Sequence, residues 1–245
     1  MSNSGALVVH GLFEHKGRHQ DNVNWLNNLG ISAYSINLPG HGDIKQKGHI
    51  EDWNENYSAI KEGFDLLKNS DKKIIFAHSY GCLVTTSAVL SGVVEPDYLI
   101  LSAPHFADNY PKFVKNLSGT LAKIAPKLRA PSPVTRKNIS TDPQVVEDYF
   151  NDPLVFRSLT VNFGNEINKA QKFVNENINS LKIPTIVLHG ENDAIVPISG
   201  CDEIKKLDYV TFVKVENSFH EILNQDTRPF VLSEIYNWLK VKEII

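Results

Sequence analysis

Six short apolar runs punctuate the chain: ALVVH (6–10), ISAYSINL (31–38), KIIFAHS (73–79), YLILSAP (98–104), PTIVLHG (184–190) and VTFVKVE (210–216). Most are near-continuously apolar rather than alternating, the pattern of strands covered on both faces of a parallel sheet. Between them lie stretches of helical character, such as WNENYSAIKEGFDLLK (53–68) and GCLVTTSAVLSG (81–92). This alternation predicts an α/β fold, a doubly wound and mostly parallel sheet of about six strands with helices on both faces.

One interval breaks the rhythm. Residues 105 to about 182 hold no convincing strand. Phe113, Leu117, Leu121, Ile124 and Leu128 recur there at helical spacing, predicting an amphipathic helix that ends near Pro126. TDPQVVEDYFNDPLVF follows, with Thr141 or Asp142 as an N-cap and Pro143 at the first helical position. The expected organisation is a core of residues 1–104 and 183–245, with residues 105–182 inserted as a helical cap between the fourth and fifth strands.

Composition narrows the functional classes. The 245 residues are 42% hydrophobic and 22% charged, enough for one domain with a full core. A net charge of -3 gives no reason to expect a nucleic-acid partner. Nowhere do eighteen apolar residues run together, so no membrane span is expected. MSNSGALVVHG lacks the basic and apolar regions of a secretion signal, and Cys82 and Cys201 are too few for a disulfide framework. Both features read as a cytoplasmic protein with reduced thiols.

Charge is unevenly spread. From Asn109 to Thr141 there are seven basic residues (Lys112, Lys115, Lys123, Lys127, Arg129, Arg136 and Lys137) and no acidic one, leaving -3 - 7 = -10 for the remainder. The stretch reads as a solvated helix face, or as a cap that approaches an anionic lipid surface or headgroup.

The candidate chemistry starts at IIFAHSYGC (74–82), where an apolar run ends on a serine and breaks at a glycine. A nucleophilic serine at a strand-to-helix turn is usually framed G-x-S-x-G, because a strained backbone demands small neighbours. Here the frame is A-x-S-x-G, with Ala77 adding one methyl group. Ser79 is either that nucleophile or a cap of the following helix. A serine alcohol needs a base and an orienting acid, supplied in this kind of fold by loops at the carboxyl ends of later strands. HGENDAIVP after the fifth strand offers Asp193, and VENSFHEIL after the sixth offers His220. Each has a plainer reading: Asp193 as a loop cap, and His220 as the cap of a helix over EILNQDTRPFVLSEIYNWLK. His10, His41, His78 and His189 also lie near strand ends and read as structural. The oxyanion donors expected for acyl transfer are the backbone N–H groups of Tyr80 and, beyond Gly11 in HGLFEHKGRH, of Leu12. The histidines show no zinc-site spacing, so neither a metal nor an organic cofactor is expected.

Together HGLFEHKGR, NLPGHGD, AHSYG, LILSAP, DPQVVEDYFNDPLVF, LHGENDAIVP and SFHEILNQ resemble the successive motifs of the α/β-hydrolase-fold monoacylglycerol lipases and lysophospholipases, within the serine-aminopeptidase-like hydrolases. The similarity runs over nearly the whole chain, cap included. It implies a hydrolase of single-chain acyl esters in which Ser79 is the nucleophile, Asp193 the acid, His220 the base, and Leu12 and Tyr80 the oxyanion donors. Ala77 and Tyr80 stand where the family commonly has glycine and methionine, and the larger Tyr80 bears on substrate preference. Only five residues precede ALVVH, so the sheet is expected to lack the antiparallel pair that usually opens it. On the same fold, the alternatives are a proline-type aminopeptidase, a carbon–carbon bond hydrolase and a non-catalytic ligand receptor.

Overall fold

The structure, a computed structural model, describes residues 3–109 and 112–245, and for 112–117 the backbone alone. Eight strands are present among these residues: β1 (Ser4–Val9), β2 (Ser32–Ile36), β3 (Lys72–His78), β4 (Tyr98–Ser102), β5 (Arg129–Pro131), β6 (Ser158–Thr160), β7 (Thr185–Gly190) and β8 (Val210–Val215). The six that match the apolar runs form one parallel sheet in the order β2-β1-β3-β4-β7-β8. Its helices are α1 (Gln20–Asn28), α2 (Asn54–Asp65), α3 (Tyr80–Leu90) and α7 (Arg228–Val241), while α4 (Lys112–Ile124), α5 (Pro143–Asn151) and α6 (Val161–Asn177) lie between β4 and β7.

Strand side chains alternate between two cores, as a period of two requires. Leu7, Val9, Ile75, Ala77, Leu99, Leu101 and Val187 enter one, with Ile60 of α2, Leu83 of α3 and Phe163 of α6. Ala6, Val8, Ile74, Phe76, Ile100, Ile186 and Leu188 enter the other, with Leu26 of α1 and Ile235 of α7. Each fully buried aliphatic side chain contributes roughly 1.5–3 kcal/mol, which is why both faces of the central strands are apolar. Residues 80–88 of α3 are all buried, so this stretch has no solvent-facing side, and its Thr-Thr-Ser run keeps it slim enough to lie between sheet and outer helices.

Strand order decides where a site can form. From β1 the chain passes to β2 on one side and then to β3 on the other. The loops leaving β1 and β3 therefore part at the carboxyl edge of the sheet, and a crevice opens at that reversal.

The interval after β4 differs from expectation. It contains the β5–β6 pair, antiparallel with Arg129 opposite Thr160, each strand too short for a period of two to be read. The predicted amphipathic helix corresponds to α4, although the side chains of Phe113 and Leu117, like those of Lys112 and Lys115, lie outside the described residues. Asp142 is the cap of α5, its Oδ1 accepting from Gln144 N at 2.8 Å. The last helix starts at Arg228, not at Glu221. Pro229 has no N–H and is tolerated only in a first turn, so the helix begins immediately before it.

Candidate active site

Ser79 stands between β3 and α3 with φ 51 and ψ -114. A non-glycine residue in that region carries about 1–3 kcal/mol of strain. The surrounding backbone holds it there: Ser79 N donates to Ser102 O at 2.8 Å, while Ser79 O accepts from Cys82 N at 3.0 Å and His105 N at 3.2 Å. Gly81 makes the turn feasible, because a Cβ there would lie 2.5 Å from His10 O and 2.7 Å from Val9 O.

The loops after β7 and β8 bring Asp193 and His220 to this serine. His220 Nε2 lies 2.8 Å from Ser79 Oγ, and His220 Nδ1 lies 2.6 Å from Asp193 Oδ2. A carboxylate only accepts, so Nδ1 carries the proton and Nε2 is free to accept from the serine hydroxyl. Asp193 Oδ1 is fixed by Ile195 N and Val196 N, both at 2.9 Å. Burial by itself would depress His220, but the Asp193 carboxylate, with Glu221 and Glu14 farther off, holds it above its ordinary value. Against burial, His220 in turn holds Asp193 below the usual carboxylate range. These charges leave a histidine primed to take up a proton.

The loop after β1 supplies the opposite wall. Gly11 N donates to Glu14 Oε1 at 2.5 Å, and Phe13 N donates to His41 Nε2 at 3.3 Å. The donor between them is Leu12 N–H. Phe13 has φ 71 and is held by packing edge-on against Phe156, with ring centroids 5.3 Å apart, and by Phe156 N donating to Phe13 O at 3.0 Å. Tyr80 is the first residue of α3, where an N–H has no intrahelical acceptor. Its side chain is fully buried among His41, Trp53 and Phe163. Its ring meets the loop after β1 through His41, which stacks on it and accepts from Phe13 N.

That cavity, about 640 Å³, opens over Ser79 and His220 and is walled by Leu121, Val134, Ile139, Leu159, Val161 and Ile167 among others. Asp108, Asn109, Ser118 and Asn168 also line it, Asn168 Nδ2 donating to Ser118 Oγ at 3.1 Å. Among the described residues, no group of three or more His, Cys, Asp or Glu is arranged to hold a metal ion.

Four histidines read as structural are buried. His10 donates from Nδ1 to Gly11 O at 2.7 Å and accepts Leu38 N at 2.9 Å. His78 sits 5.0 Å, ring to ring, from His220; burial and that neighbour lower it to about 4. His41 is likewise lowered to about 4 by burial, and His189 is lowered for the same reason. Burial pushes the Cys201 thiol up to about 12 and also raises Cys82, so neither thiol ionises readily.

Residue spacing did not single out a buried ionic cluster beneath the site. Glu14 accepts from Arg18 Nε at 3.0 Å and from His19 Nε2 at 2.9 Å, and Arg18 also reaches Glu221 Oε2 at 3.0 Å. The available signal was a charged Glu-x-x-x-Arg step directly after the β1 loop, and a second acid adjoining His220.

Comparison with known proteins agrees with this architecture. A profile of the family described as serine aminopeptidase, S33, matches residues 4–227. A monoacylglycerol lipase from Mycolicibacterium smegmatis is 24% identical over 245 residues, covering 95% of this chain and 86% of that protein. The crystal structure of Paleococcus ferrophilus monoacylglycerol lipase superposes with a TM-score of 0.88 at 24% identity, covering 98% of this chain and 96% of that one. A soluble variant of the Saccharomyces cerevisiae monoglyceride lipase, solved with a substrate analogue, gives 0.84 at 18% identity, with 97% and 86% covered.

Proposed function

The chain belongs to the serine aminopeptidase, S33, family of α/β-hydrolases, and from that premise we propose that it is a serine ester hydrolase acting on monoacylglycerols or similar single-chain acyl esters. The observation that carries the reading is the Ser79–His220–Asp193 chain of hydrogen bonds, 2.8 and 2.6 Å long, at the floor of an apolar cavity. Ser79 Oγ attacks the ester carbonyl as His220 Nε2 takes its proton, and Asp193 keeps the imidazole in the required tautomer. Leu12 and Tyr80 N–H groups stabilise the oxyanion. Protonated His220 then gives its proton to the departing alcohol, and water repeats the sequence on the acyl-enzyme.

The cavity supports this substrate class. Its volume lies within the usual ligand range of about 300–1,000 Å³, and its aliphatic walls suit an acyl chain at up to about 0.8 kcal/mol per buried methylene. Asp108, Asn109, Ser118 and Asn168 suit the hydroxyls of a glycerol-like alcohol. The lipase names of its relatives favour the same class, while the family's aminopeptidase name makes amides the comparison to run.

A lipid surface is the proposed partner of the cap. Ile124 and Leu128 are 77% and 54% exposed and alternate with Lys123, Lys127 and Arg129. Lys127 and Arg129 also line a cleft of about 450 Å³ with Ile44, Lys45 and Lys47. Exposed apolar side chains ringed by cations suit transient contact with anionic lipid. Arg136 does not belong to this face, since it pairs with Glu147 and stacks on Phe150. No helix among the described residues is long and apolar enough to cross a membrane.

The test is labelling with a fluorophosphonate, then turnover of monoacylglycerols, lysophospholipids and aminoacyl amides by the wild type and Ser79→Ala. Labelling at Ser79, ester turnover that rises with acyl length, and a loss of about 10⁶-fold on Ser79→Ala are expected. A folded Ser79→Ala that keeps its esterase activity, or preference for aminoacyl amides over every ester, overturns the reading.

A further inference from the structure

We propose that Glu14, Arg18 and Glu221 form a buried positioning bridge that locks the oxyanion loop to the base loop and sets a second negative charge behind His220. The bridge spans distant parts of the chain. Glu14 holds the loop after β1 through Gly11 N at 2.5 Å, one residue before the Leu12 donor. Glu221 directly follows His220, and its own backbone N donates to Ile139 O at 3.1 Å. Arg18 joins the two carboxylates with Nε to one and its terminal nitrogen to the other, each at 3.0 Å. All three side chains are at least nine-tenths buried. One guanidinium thus faces two carboxylates, so the cluster carries an uncompensated negative charge unless a neighbouring histidine is protonated.

That imbalance is costly at rest, because removing charges from water is repaid only by close pairing. It becomes favourable when His220 takes the serine proton and turns cationic. Asp193, Glu221, Glu14, Arg18, His19, His78 and His189 surround His220 on its own loop and on the elements packed against it, and His105, Asp108 and Tyr149 line the same cavity. Of these Asp193 touches it, while Glu221 and Glu14 act across a short gap in which His78 stays neutral. The bridge also reaches the cap. Arg18 lies 4.9 Å over the Tyr149 ring of α5, and His15 pairs with Asp152 at 2.7 Å. Oxyanion loop, base loop and cavity wall therefore share one charged joint.

The bridge rests on the Ser79–His220–Asp193 reading, and its test separates the two. Glu14→Gln and Glu221→Gln keep the shape and an accepting oxygen while removing charge. Rates on a soluble short-chain ester are measured from pH 5 to 9 and divided by the active sites titrated with a fluorophosphonate, so that unfolded molecules do not count. Glu221→Gln should move the acid limb of kcat/KM down by about half to one pH unit. Both Glu14 oxygens accept, so in Glu14→Gln the amide NH2 must face either Gly11 N or Arg18 Nε; the loosened loop should lower kcat per site by about 10- to 100-fold with KM within about threefold. If either fails to fold, Arg18→Lys replaces it. Lysine keeps the charge but cannot fork between two carboxylates, and it should lower kcat per site at least about fivefold. Wild-type kcat and an unmoved acid limb in these variants, with Ser79→Ala inactive, overturn the bridge alone. An active Ser79→Ala overturns the catalytic reading beneath it.

Discussion

Adding one methyl group at Gly190 should disable the site without touching any of its functional side chains. A Cβ there would lie 2.1 Å from Phe219 O and 2.7 Å from Ser218 O. Cβ atoms essentially never come closer than 3.0 Å, so this backbone must retreat by about 0.9 Å, which is 3.0 less 2.1. Phe219 is joined directly to His220. If the retreat passes on whole, the 2.8 Å contact between Ser79 Oγ and His220 Nε2 opens to about 3.7 Å, beyond hydrogen-bond range. A misplacement of that size costs about 10²-fold in turnover, and overpacking costs about 1–3 kcal/mol of stability. Gly190→Ala should therefore lower kcat/KM about a hundredfold per titrated site, with a reduced urea midpoint. Gly119→Ala in α4 is the control, since its Cβ would make an ordinary 3.4 Å contact with Asn165. It should keep its activity and gain about 0.5–1 kcal/mol. A Gly190→Ala enzyme with more than about a third of wild-type activity would refute the reasoning, because the base loop could then slide without consequence.

Asp193→Asn should lower kcat by about 10⁴-fold by leaving His220 in the wrong tautomer; single-turnover kinetics would expose a smaller loss. Because His220 is raised by its acidic neighbours, the acid limb of kcat/KM should fall above the ordinary histidine value of about 6.5, and an inflection below 6 would contradict this. Stability should move with pH through His41 and His78, both lowered to about 4 in the folded state. Between about 6.5 and 4 the unfolded chain binds these two protons and the folded one does not, so acid destabilises by about 2 kcal/mol each at pH 5. Urea melts at pH 8 and 5 measure the net of this loss and the opposite contribution of His220, whose raised value lets the folded state take up its proton first; a midpoint that does not fall at pH 5 would count against neutral burial. Lys123→Glu with Lys127→Glu should weaken turnover on anionic micelles but not on a soluble ester; equal losses on both would make the cap charges structural.

What could be read from the chain, and what could not, follows from how local each feature is. The central strands are visible because burial on both faces leaves an unbroken apolar run, as in Ile74 to Ala77, whereas the edge strands β2 and β8 are partly exposed and are read from their β-branched and aromatic residues. The β5–β6 ribbon has three residues a side and a proline, and its pairing spans the intervening α5. Nothing in RAP or SLT alone specifies that partnership. The bridge is hidden for the same reason: Arg18 and Glu221 are 203 positions apart, and only the sheet's winding brings them within reach. Local charge patterning reads such residues as surface, since isolated ionic side chains are almost never fully buried.

The A-x-S-x-G frame makes the same point at single-residue scale. The two small positions flanking Ser79 are not equivalent. Ala77 is still within β3, paired in register with Val9 and Leu101, and its methyl group enters the main core beside them. There an alanine is better than a glycine, because it fills space and stiffens the strand entering the turn. Gly81 has no such room, with two backbone carbonyls inside 3 Å of where a Cβ would stand. A frame written as two interchangeable glycines hides this asymmetry. Only the second reports the close crossing of α3 over β1 that presents the serine, and it is the one this chain keeps.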